Sequence, residues 1–193
     1  MRFQKWVLVF WCVMACTMTS TIAQGSELSD KLQSSDHVLL MRHTLAPGLG
    51  DPANYTLDNC KTQRNLSEEG RKQAVAVGNW LKKQGVTSAD LYSSTWCRCK
   101  DTADLLNLGR VTIEPALASF FDDMGQAKMS NQKLEKFIAA QLKKKDKQAL
   151  ILVTHHVNIH EFMGENIDSG DLVLTQVDAN GKMVAYQLIA RPN

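Results

Sequence analysis

Residues 150–159 read LILVTHHVNI. Leu150 to Val153 is an unbroken apolar run of strand length, and it ends in Thr154, His155 and His156. Such a run, bounded by polar residues, fits a strand buried inside a sheet. Val38-Leu39-Leu40-Met41 repeats the pattern and ends in Arg42-His43-Thr44. Ala89 to Ser93 (ADLYS) reads as another strand and leads through Ser94 and Thr95 to Arg98. Val111 to Ile113 is a short strand stopped near Pro115. In an open parallel sheet the carboxyl ends of the strands lie along one edge, where ligands bind. Two histidines and two arginines are therefore expected to converge there.

Helical segments alternate with these strands. Ser67 caps a helix that has Glu68 and Glu69 in its first turn. Ala74, Val75, Val77, Gly78 and Leu81 form its apolar face, Lys82 and Lys83 sit in its last turn, and Gly85 ends it. Ser94 or Thr95 caps a second helix from about Trp96 to Leu106. Leu134 to Leu142 reads as helix, and the lysines at 143–145 as its solvated end. A short helix runs from about Val157 to Met163, before Gly164. Leu172–Val177 and Met183–Ile189 flank Asp178-Ala179-Asn180-Gly181, a hairpin signal. Gln24 to Asp36 reads as a polar lead-in. His43 to Leu66, with Pro47, Gly48, Gly50, Pro52 and Asn59, reads as a loop far longer than usual, which points to a functional role. The expected fold is α/β, a three-layer αβα sandwich with a mostly parallel central sheet and an antiparallel edge hairpin.

The first residues read as an address. Arg2 and Lys5 precede an apolar core, WVLVFWCVMAC at 6–16, and Thr21-Ile22-Ala23 resembles a signal-peptidase site. The core is about half the length that spans a bilayer, so no stable membrane span is expected once it is cut. An uncleaved anchor and a lipid-modified Cys16 are the alternatives. The expected organisation is a signal peptide at 1–23 and one domain at 24–193, secreted or periplasmic. The whole chain has 193 residues and a formal charge of +2. Without residues 1–23, 20 basic and 20 acidic residues remain, so the charge is zero. Nothing there suggests a nucleic-acid binder. Cys60, Cys97 and Cys99 also remain. In an oxidising compartment one disulfide is expected, joining Cys60 to either Cys97 or Cys99.

The polar strand ends suggest phosphoryl chemistry. Guanidinium groups bind a phosphoryl group bidentately and stay charged at any working pH. A neutral imidazole is a competent nucleophile toward phosphorus. A second imidazole stabilises charge on the phosphoryl oxygens. No metal or cofactor is required. His156, His160 and Glu161 could line one helical face as metal ligands, but their order is not the His-Glu-x-x-His of zinc peptidases.

The chain resembles the histidine phosphatase superfamily, which includes phosphoglycerate mutases and histidine acid phosphatases. Four stretches carry the resemblance in the family's order: VLLMRHT at 38–44, NLSEEGRKQA at 65–74, LYSSTWCRCKDTADLL at 91–106 and ILVTHHVNI at 151–159. It implies His43 as the phosphorylated nucleophile and Arg42, Arg98 and His155 as the phosphate pocket, with Arg64 as a further phosphate-binding arginine. Thr44 stands where the family has Gly, and its hydroxyl is another candidate phosphate ligand. His156 stands where acid-phosphatase branches place an Asp proton donor. Mutase-like branches take the acid from a loop after the third strand, where this chain has Asp122 and Asp123. These two are the candidate general acids, and Glu161 is another.

The implied activity is hydrolysis of a small phosphomonoester through phosphohistidine, by a small secreted bacterial-type member. Sugar phosphates and lipopolysaccharide phosphates are the substrates such a location suggests. The alternative is a weakly active or inactive phosphate-binding protein on the same fold. Nothing in the sequence indicates an oligomeric state.

Overall fold

The computed structural model describes residues 27–192. The signal segment expected at 1–23 and its cleavage point lie outside the described residues.

Six strands form one sheet: β1 (His37–Arg42), β2 (Ala89–Ser93), β3 (Val111–Ile113), β4 (Ala149–Thr154), β5 (Leu172–Val177) and β6 (Met183–Ile189). Their spatial order is β3-β2-β4-β1-β5-β6. The first four are parallel, with Leu39 opposite Ile151 and Leu91 opposite both Ile151 and Val111. β5 runs antiparallel to β1 and forms a hairpin with the edge strand β6. The expected architecture is the one observed.

The helices are α1 (Glu27–Gln33), α2 (Glu68–Lys83), α3 (Cys97–Leu106), α4 (Ala127–Lys144) and α5 (His156–Met163). Successive side chains of a strand point to opposite faces, and this alternation divides the core in two. Leu39, Met41, Ile151 and Val153 pack under Leu32 of α1, Val77 and Leu81 of α2, and Ala103 and Leu106 of α3. Val38, Leu40, Leu150 and Leu152 pack against Leu134, Ile138 and Leu142 of α4 and Ile159 and Phe162 of α5. β4 and β1 are central and covered on both sides, which is why their apolar runs have no polar interruption.

Glycine in α2 has a packing reason. A Cβ at Gly70 would overlap the carbonyl of Leu45, and one at Gly78 the carbonyl of Leu106. The first contact seats the start of α2 directly against the chain leaving β1, two residues past His43. Ser67 caps this helix as expected, its Oγ accepting from the Gly70 N–H at 3.0 Å.

Three local expectations need correction. The lead-in at 24–36 contains α1, whose Leu32 is fully buried under the sheet. Leu28 and Leu32 are too few to announce a helix by periodicity, so burial decides it. α4 starts at Ala127 rather than Leu134. No residue between 127 and 133 is buried, so that stretch lacks the apolar signal of a packed face. Trp96, not Ser94 or Thr95, occupies the N-cap of α3, with no side-chain cap. The Ser94 hydroxyl is engaged elsewhere.

Candidate active site

The carboxyl ends of β1, β2 and β4 meet at a cavity of about 50 Å³ lined by Arg42, His43, Arg64, Arg98, His155 and His156, among others. A larger groove of about 600 Å³ beside α4 and the β5–β6 turn contains no histidine or arginine.

His43 follows β1 and is almost completely buried. Its Nδ1 lies 2.8 Å from the Thr44 carbonyl oxygen. A carbonyl only accepts, so Nδ1 carries the proton and Nε2 is left with a free lone pair. Burial holds its pKa well below the ordinary histidine value; the hydrogen bond to the Thr44 carbonyl opposes this in part, and the charges of Arg98, Arg42 and Arg64 reinforce it. The imidazole is thus neutral and nucleophilic at neutral pH.

His155 caps the end of β4, with its ring 5.5 Å from that of His43 in an edge-to-face arrangement. Its Nε2 is 2.8 Å from Ser94 Oγ and its Nδ1 3.4 Å from Arg98 Nη2. Guanidinium only donates, so Nδ1 accepts and Nε2–H donates to the serine. Burial, then His43 and Arg98, lower its pKa strongly as well. Trp96 packs edge-on against the same ring at 5.2 Å.

The three arginines reach the cavity from different elements. Arg42 Nη1 donates to the Ile167 carbonyl at 2.7 Å. Arg64 is held by the long loop, donating from Nε to the Gly50 carbonyl at 2.7 Å and from Nη1 to the Ala46 carbonyl. Arg98, in the first turn of α3, donates from Nη1 to both carboxylate oxygens of Asp51 at 3.0 Å. Arg42 Nε and Arg98 Nε are buried with no partner among the described residues. Buried donors of this kind are costly unless an acceptor reaches them. Their positive charge matches an anionic acceptor.

The long loop is tied down twice. Cys60 is bonded to Cys97, with Cα atoms 5.7 Å apart. This decides between the two pairings left open by the sequence. Cys99 stays free and buried, and burial pushes its thiol up to about 12. The second tie is Asp51, which the sequence did not single out. Asp-Pro in a Gly-rich loop reads as a turn, and nothing local distinguishes this carboxylate from a solvated one.

The remaining candidates separate clearly. Asp122 lines the cavity, with Oδ2 accepting from Tyr55 OH at 2.8 Å. Burial, followed by that hydrogen bond, pushes the tyrosine up to about 12. Asp123 caps the short turn at Met124–Gln126, accepts from the Gly125 N–H and Gln126 Nε2, and is not among the cavity residues. Glu161 is exposed on α5 and is not among the cavity residues.

Thr44 is absent from the cavity lining, contrary to its expected role with phosphate. Thr102 gives its hydroxyl proton to the Arg98 carbonyl and accepts from Thr44 N–H and Oγ1–H, both at 3.1 Å. The Thr44 hydroxyl is therefore spent inside the core. Asn107 is the one non-glycine residue with positive φ among those described. Thr44 accordingly has no need of glycine's freedom. His156 lines the cavity, 5.8 Å from the Phe121 ring, whereas His160 is exposed. Among the described residues no three His, Cys, Asp or Glu side chains lie close enough together to hold a metal ion.

Residues 38–133 match the model of the histidine phosphatase superfamily, branch 1. The chain belongs to the histidine phosphatase superfamily. Solved structures of similar fold include the protein histidine phosphatase SixA complexed with tungstate, at 18% identity and a TM-score of 0.55 over 80% of this chain and 95% of that one. The mycobacterial glucosyl-3-phosphoglycerate phosphatase bound to VO3 matches at 15% identity and 0.57, over 80% and 98%. The phosphoserine phosphatase of Entamoeba histolytica, in complex with 3-phosphoglyceric acid, matches at 12% identity and 0.56, over 81% and 96%. No curated protein matches the sequence. Within the superfamily fold, the site stands at the carboxyl ends of the parallel strands.

Proposed function

We propose that the chain is a phosphomonoester hydrolase that works through a phosphohistidine on His43. The observation that carries this reading is the His43 ring. Its Nδ1 is tied to the Thr44 carbonyl, its Nε2 is free, and three arginines share its buried cavity. Membership of the superfamily supports it.

In the first step the Nε2 lone pair attacks phosphorus in line, the P–N bond forms and the ester P–O bond breaks. The leaving oxygen takes a proton from Asp122. In the second step water attacks phosphorus, the P–N bond breaks, and the Asp122 carboxylate takes the proton from that water. Arg42, Arg64 and Arg98 hold the equatorial oxygens, where charge accumulates. His155 holds one of them after Nδ1 takes up a proton, which the incoming phosphoryl charge favours.

The substrate in this reading is a small phosphorylated molecule, such as a sugar phosphate or a lipopolysaccharide phosphate. Residues 1–23 are a cleaved leader, residues 24–193 the catalytic domain, and the mature chain is secreted or periplasmic, a small secreted bacterial-type member of the superfamily. The Cys60–Cys97 disulfide supports an oxidising location. Among the described residues no helix is long and apolar enough to cross a membrane.

The test is turnover of p-nitrophenyl phosphate and a sugar-phosphate panel by the mature chain. His43→Ala is expected to abolish turnover. An acid-labile, base-stable phosphoenzyme is expected in the wild type and not in the variant. Undiminished activity of His43→Ala refutes the reading.

A further inference from the structure

The cavity that gathers three arginines also contains a carboxylate. Asp51 and Arg98 are each 4% exposed in their side chains, so this ion pair is well removed from solvent. Both Asp51 oxygens are fully engaged. Oδ1 accepts from Arg98 Nη1 at 3.0 Å and from the Arg64 backbone N–H at 2.8 Å. Oδ2 accepts from Arg98 Nη1 at 3.0 Å and from Trp96 Nε1–H at 3.1 Å. One side chain thus joins the tip of the long loop, the end of that loop and the first turn of α3.

An anion inside an anion pocket opposes phosphate binding, since like charges at close range in a poorly solvated site repel strongly. Its placement has a compensating effect. Asp51 occupies only Nη1 of Arg98, while Nη2 reaches toward His155 and Nε has no partner. The guanidinium plane is therefore set before a substrate arrives, with two nitrogens left for phosphoryl oxygens. Preorganised charge of this kind favours the transition state without reorganisation during the reaction.

We propose that Asp51 is a positioning residue for Arg98 and, through its charge, weakens the hold of the pocket on the product phosphate. This rests on the phosphatase reading above. Asp51 orients the arginine toward the transferring group and offsets one of three guanidinium charges, so that the dianion left after hydrolysis departs.

The experiment is calorimetric titration of inorganic phosphate into the mature wild type, Asp51→Asn and Asp51→Ser, together with kcat and KM for p-nitrophenyl phosphate. Folding is checked by circular dichroism and by formation of the Cys60–Cys97 bond. Without the charge, phosphate is expected to bind at least about tenfold more tightly. KM is expected to fall and kcat to fall with it, because Arg98 is no longer fixed and product leaves slowly. Asp51→Glu, which keeps the charge, is expected to restore weak phosphate binding. A merely structural role predicts the opposite sign, with phosphate bound more weakly by both charge-removing variants. That result, unchanged binding, or failure of both variants to fold overturns the proposal. A wild type that neither binds phosphate nor turns over phosphoesters instead refutes the phosphatase reading.

Discussion

Removing the Cys60–Cys97 bond gives a prediction whose size follows from its place in the chain. The two cysteines are 37 residues apart. A cross-link closing a loop of that length lowers the entropy of the unfolded chain by an amount worth about 4 kcal/mol at 25 °C. The folded state has other means of holding the segment. Gln63 Oε1 accepts from the Cys97 N–H at 2.9 Å, and Asp51 clamps Arg98 and the Arg64 backbone. The loss is therefore assigned to the unfolded chain, not to collapse of the site. In a domain of this size each kcal/mol moves the melting temperature by roughly 2–4 °C. The double variant Cys60→Ser, Cys97→Ala is accordingly expected to melt about 8–16 °C below the wild type. Wild type in excess reductant is expected to melt near the variant, since Cys60 is exposed to the reagent. Thermal unfolding followed by circular dichroism is the assay, with phosphate titration alongside. A drop of less than about 3 °C would refute the entropic reasoning. Complete loss of phosphate binding in a still-folded variant would show that the bond shapes the pocket directly.

Two further predictions concern protons. Asp122→Asn is expected to slow hydrolysis of alkyl phosphates by about 10²–10⁴-fold, the usual contribution of a general acid. p-Nitrophenyl phosphate should be spared by comparison, because its leaving group departs unprotonated; equal losses on both substrates would exclude Asp122 as the acid. His43 and His155 both have pKa values lowered in the folded state, principally by burial. Below about pH 6.5 the unfolded chain binds protons that the folded one does not. Their contribution to stability is thus complete above that pH and is lost on acidification, with a limiting slope of about 2.7 kcal/mol per pH unit while both titrate only in the unfolded chain. Urea unfolding between pH 7.5 and 5 measures this slope, and a flat profile in wild type would contradict the assignment.

Much of the site was legible because its residues end strands. Arg42-His43, Arg98 and Thr154-His155 follow runs whose hydrophobicity identifies them as strands or places them just beyond one, and parallel strands bring their carboxyl ends to one edge. Arg64 reaches the same cavity from the loop. The choice among carboxylates was not legible in that way. Asp122 and Asp123 are neighbours in the chain and the same residue type, yet one lines the cavity and the other caps a turn. Thr44 looked available because its hydroxyl lies beside His43 in sequence, but Thr102, 58 positions later, takes it up.

The sequence by itself determined the α/β alternation, the central strands and the residues at their ends, because periodicity and capping are local and each registers within a few positions. Only the tertiary structure decided which cysteine Cys60 meets, that Ser94 serves His155 rather than a helix cap, and that Asp51 is buried against Arg98. Each of those depends on partners more than 30 residues apart, brought together when parallel β2 and β4 align their ends or when the long loop closes over α3. A carboxylate in a turn acquires its meaning only from the charge that the fold sets opposite it.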